Sequence, residues 1–194
     1  MKGKLIVLYG INNLGKTTQA KMLTDRLRRE KKDVVYIKYP IYTLAPSGPI
    51  VSAYLREGNP YALTPREFQT ITALNRTQYE STLQAILERG TIVVAEDYLG
   101  TGIAWGEGAG VDPKFLRDIN SALYKEDIAI LLHGRRFTFS IEKNHTHEED
   151  STLMERVRVA HEQCADERGW IRVAVDGTKE YVHEKIWEII KKLL

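Results

Sequence analysis

The chain of 194 residues has one cysteine, Cys164, so no intramolecular disulfide and no cysteine-rich zinc site can form. Net charge is nearly absent, because 28 Lys and Arg against 26 Asp and Glu leave +2. That excludes a bulk electrostatic case for a nucleic-acid polymer or an acidic membrane surface as partner. Long apolar runs are missing too. Stretches such as 128–132 fall far short of the ~20 residues that span a bilayer. Lys2 and Lys4 precede only a brief apolar run at 5–9 with no small-residue cleavage site after it, which argues against a signal peptide. No internal repeat, low-complexity tract or linker interrupts the chain. The expected setting is soluble, reducing and cytoplasmic, with one domain over 1–194. Hydrophobic residues at 43% suffice for a core without covalent staples.

What is present is an alternation of strand and helix patterns. Leu5-Ile6-Val7-Leu8-Tyr9 is a continuous apolar run before a glycine loop and reads as a buried strand. Further strands are expected at 34–37, 91–95, 128–132 and 170–175. Helices are expected at 16–31, 50–56, 64–89, 112–124, 151–168 and 181–193. Thr64-Pro65-Arg66-Glu67 is a helix start with a capping pair. Residues 100–110 hold five glycines and read as a flexible or functional loop. Residues 135–150 are polar and match no pattern. Five strands separated by helices predict a three-layer α/β/α fold around a mostly parallel five-stranded sheet.

The sharpest motif is Gly10-Ile11-Asn12-Asn13-Leu14-Gly15-Lys16-Thr17. It fits G-x-x-x-x-G-K-[ST] between a buried strand and a helix, the context the motif requires. Gly10 and Gly15 let successive N–H groups, from Asn12, Asn13 and Leu14 onward, turn toward phosphate oxygens. The helix end adds a positive dipole. Lys16 faces the β- and γ-phosphates, Thr17 is a Mg²⁺ ligand, and Thr18 is a second hydroxyl. A nucleoside triphosphate site follows, with ATP and Mg²⁺ as cofactors. The motif alone leaves hydrolysis, transfer and the acceptor open.

Several further segments resemble the thymidylate kinase family of nucleoside monophosphate kinases. They are Thr17-Thr18; Tyr39-Pro40 followed by Ser47-Gly48-Pro49-Ile50; Ala73-Leu74-Asn75-Arg76; Glu96-Asp97-Tyr98 with Thr101-Gly102-Ile103-Ala104-Trp105; and the stretch from Glu155 through Asp176-Gly177-Thr178 to Ile186. They follow in family order across nearly the whole chain. The resemblance implies Mg·ATP as donor and a nucleoside monophosphate as acceptor, dTMP first among them. It also implies a mobile lid at about 134–150, a homodimer, and a loop at Asp176, Gly177 and Thr178 against the adenine. Lid arginines Arg135 and Arg136 are implied to gather the transferring phosphoryl group, with Lys143 as a third candidate. The acceptor is expected between Tyr39, Pro40 and Tyr42, the helix carrying Phe68, Thr72 and Arg76, and the stretch Asp97, Tyr98, Thr101 and Trp105. Glu96 takes the acidic role next to the metal.

The departures fall on the acceptor side. The family's Asp-Arg-Tyr is Glu96-Asp97-Tyr98 here, which puts a carboxylate where the family has an arginine near the acceptor phosphate. That charge reversal is expected to repel a phosphate dianion. The family's Phe-Pro-x-Arg is Tyr39-Pro40-Ile41-Tyr42, without the arginine. The aromatic four residues before the helix arginine is Thr72; Phe68, one turn earlier, is the candidate substitute. Arg76 is the acceptor-side arginine that remains. His145-Thr146-His147 with Glu148, Glu149 and Asp150 lacks a third strong ligand at a defined spacing and reads as a polar segment rather than zinc. A deoxynucleoside kinase, an ATPase or nucleotide switch, and a non-catalytic ATP-binding module stand as alternatives at this stage.

Overall fold

The computed structural model describes residues 2–135 and 151–194. Arg136 and the histidine pair at 145 and 147 lie outside the described residues, as does nearly all of the expected lid. Five strands form one parallel sheet: β1 (Leu5–Tyr9), β2 (Val34–Lys38), β3 (Ile92–Glu96), β4 (Ile128–His133) and β5 (Ile171–Ala174). Their order is β2-β3-β1-β4-β5, and every pairing is parallel. Among the described residues the helices are α1 (Lys16–Arg29), α2 (Ser47–Arg56), α3 (Pro65–Glu88), α4 (Leu99–Gly108), α5 (Pro113–Asn120), α6 (Ser151–Arg168) and α7 (Lys179–Leu193).

The apolar run of β1 is explained by its central place in the sheet. Leu5, Val7 and Tyr9 belong to one core cluster, with Leu83, Leu87 and Leu116 from α3 and α5. Ile6 and Leu8 belong to the other, with Leu23 and Leu27 of α1 and Ile186 and Ile190 of α7. The period-2 alternation thus feeds two buried faces, and no position of β1 is left polar. Helices α4 and α6 contribute to both clusters. The expected start of α3 forms as a capping box: Glu67 N–H donates to Thr64 Oγ1 at 3.3 Å, and Thr64 N–H donates to Glu67 Oε2 at 2.8 Å.

The expected loop over 100–110 is instead helix α4. Its four glycines are packing positions. A Cβ on Gly100 would stand 2.1 Å from the Trp170 ring, and one on Gly108 would stand 2.5 Å from Val157 Cγ2 on α6. Each glycine costs about 1 kcal/mol of intrinsic helix propensity, but a nearly wholly buried helix needs that close approach. Local composition misled because tertiary packing decided.

Connections from β1 run toward β2, and those from β3 run across to β4, so the sheet reverses direction between β1 and β3. The crevice outside the C-terminal ends of strands at such a reversal is where open α/β sheets bind ligands. The loop after β1 and the end of β3 meet there.

His161 of α6 lies close behind this edge, lining a small recess with Ile11, Leu14 and Leu131. Its Nδ1 is 2.9 Å from the Val157 carbonyl oxygen, and Nε2 is buried without a partner among the described residues. Burial lowers its pKa from 6.5 to about 4. Unfolded, the ring takes a proton near pH 6.5. Between these values the unfolded chain binds more protons, so stability falls as pH drops from 6.5 toward 4. The loss sums to about 3 kcal/mol. In His161→Gln this part of the pH dependence of Tm is expected to flatten. A melt series on both proteins from pH 7 to 4 checks it; parallel curves would refute it.

Candidate active site

The loop between β1 and α1 needs backbone shapes that few residues adopt. Gly10 has φ +138°, and a Cβ there would lie 2.6 Å from the Leu132 carbonyl oxygen. Gly15, at φ +81°, is the N-cap of α1 and offers no side chain to its first N–H groups. The first turn of α1 also holds no acidic residue. The first N–H groups and the positive helix end therefore face the crevice without a capping side chain from α1 itself. Asn12, Asn13, Leu14, Gly15, Lys16, Thr17 and Thr18 all line one cleft of about 780 Å³.

Lys16 is buried. Its Nζ donates to the carbonyls of Gly10 at 2.8 Å and Ile11 at 3.0 Å, and lies 3.8 Å from Asp97 Oδ1. The ammonium is thus coiled back on its own loop, within reach of any phosphate the loop cradles.

Glu96, the last residue of β3, is held from three sides. Thr17 Oγ1 donates to Oε1 at 2.8 Å, Tyr36 Oη donates to Oε2 at 2.6 Å, and Lys38 Nζ lies 3.1 Å from Oε1. Burial alone would raise this carboxyl; the Lys38 ammonium, the Tyr36 hydroxyl and Lys16 outweigh it and hold it below the usual range. Glu96 is therefore an anion whose position is fixed. Thr17 Oγ1 and Glu96 offer two oxygen donors side by side, which fits Mg²⁺ completing its shell with water and phosphate. Among the described residues no group of three or more His, Cys, Asp or Glu could hold a metal ion.

Asp97 adopts φ +62°. Its Oδ1 accepts from Thr101 Oγ1 at 2.8 Å and faces Lys16. Burial, with Glu96 adding to it and Lys16 opposing, raises its pKa to about 6. The expected repulsion of a phosphate dianion is therefore offset locally, because this carboxylate is turned toward the ammonium of the phosphate loop.

Across the cleft stands one face of α3. Phe68, Gln69, Thr72 and Arg76 line it, and Phe68 stacks on Tyr54 with ring centroids 3.7 Å apart. Arg76 is buried. Its Nε donates to Asn120 Oδ1 at 3.2 Å, and Nη1 and Nη2 reach the Tyr98 carbonyl and Thr72 Oγ1 only at 3.5 Å. Among the described residues no carboxylate lies within ion-pair distance of it. Burial lowers its pKa to about 10. A cation kept in this state has unused affinity for an anion or a carbonyl oxygen.

The third wall is Tyr39, Pro40 and Tyr42 with Tyr98, Thr101 and Trp105. Asn75 ties this loop to α3: Nδ2 donates to the Ile41 carbonyl at 3.0 Å and to Ser47 Oγ at 2.9 Å, and Oδ1 accepts from Ile41 N–H at 2.8 Å. Trp105 also packs into the core.

At the far end only Gly177 of the expected Asp176-Gly177-Thr178 group lines the cleft, beside Val175, Lys179 and Val182. Asp176 pairs with Lys185 at 2.6 Å, and Thr178 caps α7 by accepting from Tyr181 N–H. Arg135 is exposed and does not line the cleft. Sequence reasoning passed over Tyr36, Lys38, Arg56, Gln69 and Lys179. For Lys38 a signal existed: it ends a strand at the same sheet edge as Glu96.

The thymidylate kinase family model matches residues 8–186. The thymidylate kinase of Halothermothrix orenii is 27% identical over 207 residues, covering 100% of this chain and 99% of that protein. The thymidylate kinase of Plasmodium falciparum is 24% identical over 195 residues, covering 99% and 91%. Among solved structures, the thymidylate kinase of Candida albicans superposes with a TM-score of 0.81 at 20% identity, covering 98% of this chain and 92% of that one. That of Ehrlichia chaffeensis gives 0.77 at 17%, covering 98% and 100%.

Proposed function

The chain belongs to the thymidylate kinase family, and from that premise we propose that it transfers the γ-phosphoryl group of ATP to thymidylate, giving the diphosphate and ADP. The observation that carries this is the shape of the cleft. A phosphate loop lines one part, and a buried guanidinium without a carboxylate partner among the described residues lines another. A protein that only hydrolyses ATP has no need of the second.

The donor phosphates lie on the loop from Gly10 to Thr18. Lys16 exchanges its loop carbonyls for phosphate oxygens, and Thr17 and Glu96 would hold Mg²⁺, which would neutralise charge on the phosphates. The acceptor lies between the loop at Tyr39 and Tyr42, the face at Phe68, Thr72 and Arg76, and the strand end at Tyr98 and Thr101. One of its phosphate oxygens forms the new bond to the γ-phosphorus as the bond to the ADP oxygen breaks. A monophosphate dianion is already ionised, so no strong general base is needed. The rate then comes from positioning and charge neutralisation. We extend the reading to a single domain with a closing segment at about 134–150 that carries Arg135 and Arg136 and excludes water. It includes a homodimer and a cytoplasmic location. No helix among the described residues is long and apolar enough to cross a membrane.

A coupled assay of ADP release tests this, with Mg·ATP and a panel of thymidylate, deoxyuridylate, the other monophosphates and thymidine. Release dependent on thymidylate is expected. Release with thymidine alone would make the protein a nucleoside kinase, and release without any acceptor would make it an ATPase. Silence with ATP still bound would leave a binding module.

A further inference from the structure

Side chains two apart on a strand share a face, so Tyr36 and Lys38 of β2 stand together, and the strand register sets them beside Val94 and Glu96 of β3. That face turns toward α1, because Tyr36 and Val94 pack with Ala20 and Leu23 in one cluster. The first turn of α1 brings Thr17 to the same place. The two oxygens of Glu96 are held differently. Oε1 takes Thr17 Oγ1 at 2.8 Å and Lys38 Nζ at 3.1 Å. Among the described residues Oε2 takes Tyr36 Oη alone, at 2.6 Å. Tyr36 itself does not line the cleft, so it acts on whatever binds there only through Glu96. Its ring is fixed by the core, which makes its hydroxyl a rigid anchor. A buried carboxylate with one oxygen unheld turns about its own bond toward the nearest donor. The Lys38 ammonium already touches Glu96 and carries three donors. Without Tyr36 it would draw in Oε2 as well, and Oε1 would swing away from Thr17.

We infer that Tyr36 is the positioning residue of this site: its hydroxyl holds Glu96 Oε2 so that Oε1 and Thr17 Oγ1 stay side by side as a pair of oxygen donors for Mg²⁺. This rests on the reading of Thr17 and Glu96 as the groups that would hold the metal, and it adds the group that aims them. Mg²⁺ demands near-ideal octahedral geometry, so a turned carboxylate serves it poorly. A partner that orients a metal-binding carboxylate is worth about ten- to a hundredfold in metal affinity or activity. Tyrosine suits the task because it is a neutral donor. It fixes the anion without cancelling its charge, which a second lysine on Oε2 would do.

The test is the dissociation constant of ADP, measured by calorimetry with Mg²⁺ and again with a chelator, on the full chain, Tyr36→Phe, Glu96→Gln and the double variant. Tyr36→Phe keeps the ring in its packing and removes only the hydroxyl. Wild type is expected to bind ADP more tightly with Mg²⁺. In Tyr36→Phe that gain should shrink by about tenfold or more, while binding in the chelator stays the same. In the Glu96→Gln background, adding Tyr36→Phe should change neither constant further, because Tyr36 acts through that carboxylate. In steady-state kinetics Tyr36→Phe should lower kcat and leave the KM for thymidylate unchanged. Equal losses with and without Mg²⁺ would mean a structural role and overturn the inference. So would an undiminished Mg²⁺ effect in Tyr36→Phe, a further loss in the double variant, or a wild type indifferent to Mg²⁺. Absence of turnover in the acceptor panel, with the Mg²⁺ effect present in wild type and lost in Tyr36→Phe, would sink the proposed reaction and leave the role of Tyr36 standing.

Discussion

In Lys16→Ala, turnover is expected to fall by about a thousandfold or more while the protein stays folded. An ammonium that contacts the transferring phosphoryl group in a water-poor site is worth about 4 kcal/mol or more at the transition state. The structural cost is smaller. The carbonyls of Gly10 and Ile11 lose a donor, but the space Lys16 vacates lines the open cleft, where water replaces it. Asp97 loses its facing cation, which biases it further toward the protonated form. Steady-state kinetics with a circular dichroism melt checks the point. A Lys16→Ala protein of near-normal activity would remove the loop from the mechanism.

Arg76→Met separates function from stability in the opposite sense. The guanidinium is buried, has no carboxylate partner among the described residues, and holds only contacts of 3.2–3.5 Å to neutral oxygens. Methionine fills much of the same volume and removes the desolvation penalty. A gain of about 1–3 kcal/mol is expected, in line with buried charges replaced by apolar groups. A chain of this size then melts roughly 2–4 °C higher per kcal/mol. The kcat/KM for the acceptor should drop at least about a hundredfold, because two or more charge-assisted contacts to the substrate vanish. Binding of ATP should stay close to normal. Thermal melts and nucleotide titrations decide it; a variant both less stable and fully active would contradict the account of this residue.

The sequence made some of this plain because the relevant constraints are local. The phosphate loop is eight consecutive residues whose glycines, lysine and hydroxyl each answer a demand of the bound phosphate. The continuous apolar run of β1 and the capping pair of α3 are likewise short-range signals. Helix α4 was hidden because its glycines signal flexibility in isolation. Only neighbours from other elements, Trp170, Arg76, Leu116 and Val157, show that they serve contact. The same holds at the site. Tyr36 reaches Glu96 across 60 positions of chain through the β2–β3 register. Asp97 could be read as a departure, but not that it faces Lys16. Asp176 and Thr178 looked like ligand groups because an Asp-Gly turn beside a sheet edge does not reveal that its side chains serve α7.

Helix α4 has a further consequence. Four of its ten residues have no side chain, so almost nothing within it favours the helical state over the unfolded one. Its order is lent by α6, α3 and Trp170, which press directly on its backbone. Undocking of any of them would release α4 as a unit, and with it Thr101 and the seat of Arg76. The acceptor wall is therefore only as ordered as the interfaces behind it, and changes far from the cleft on α6 can reach substrate recognition through backbone packed against backbone.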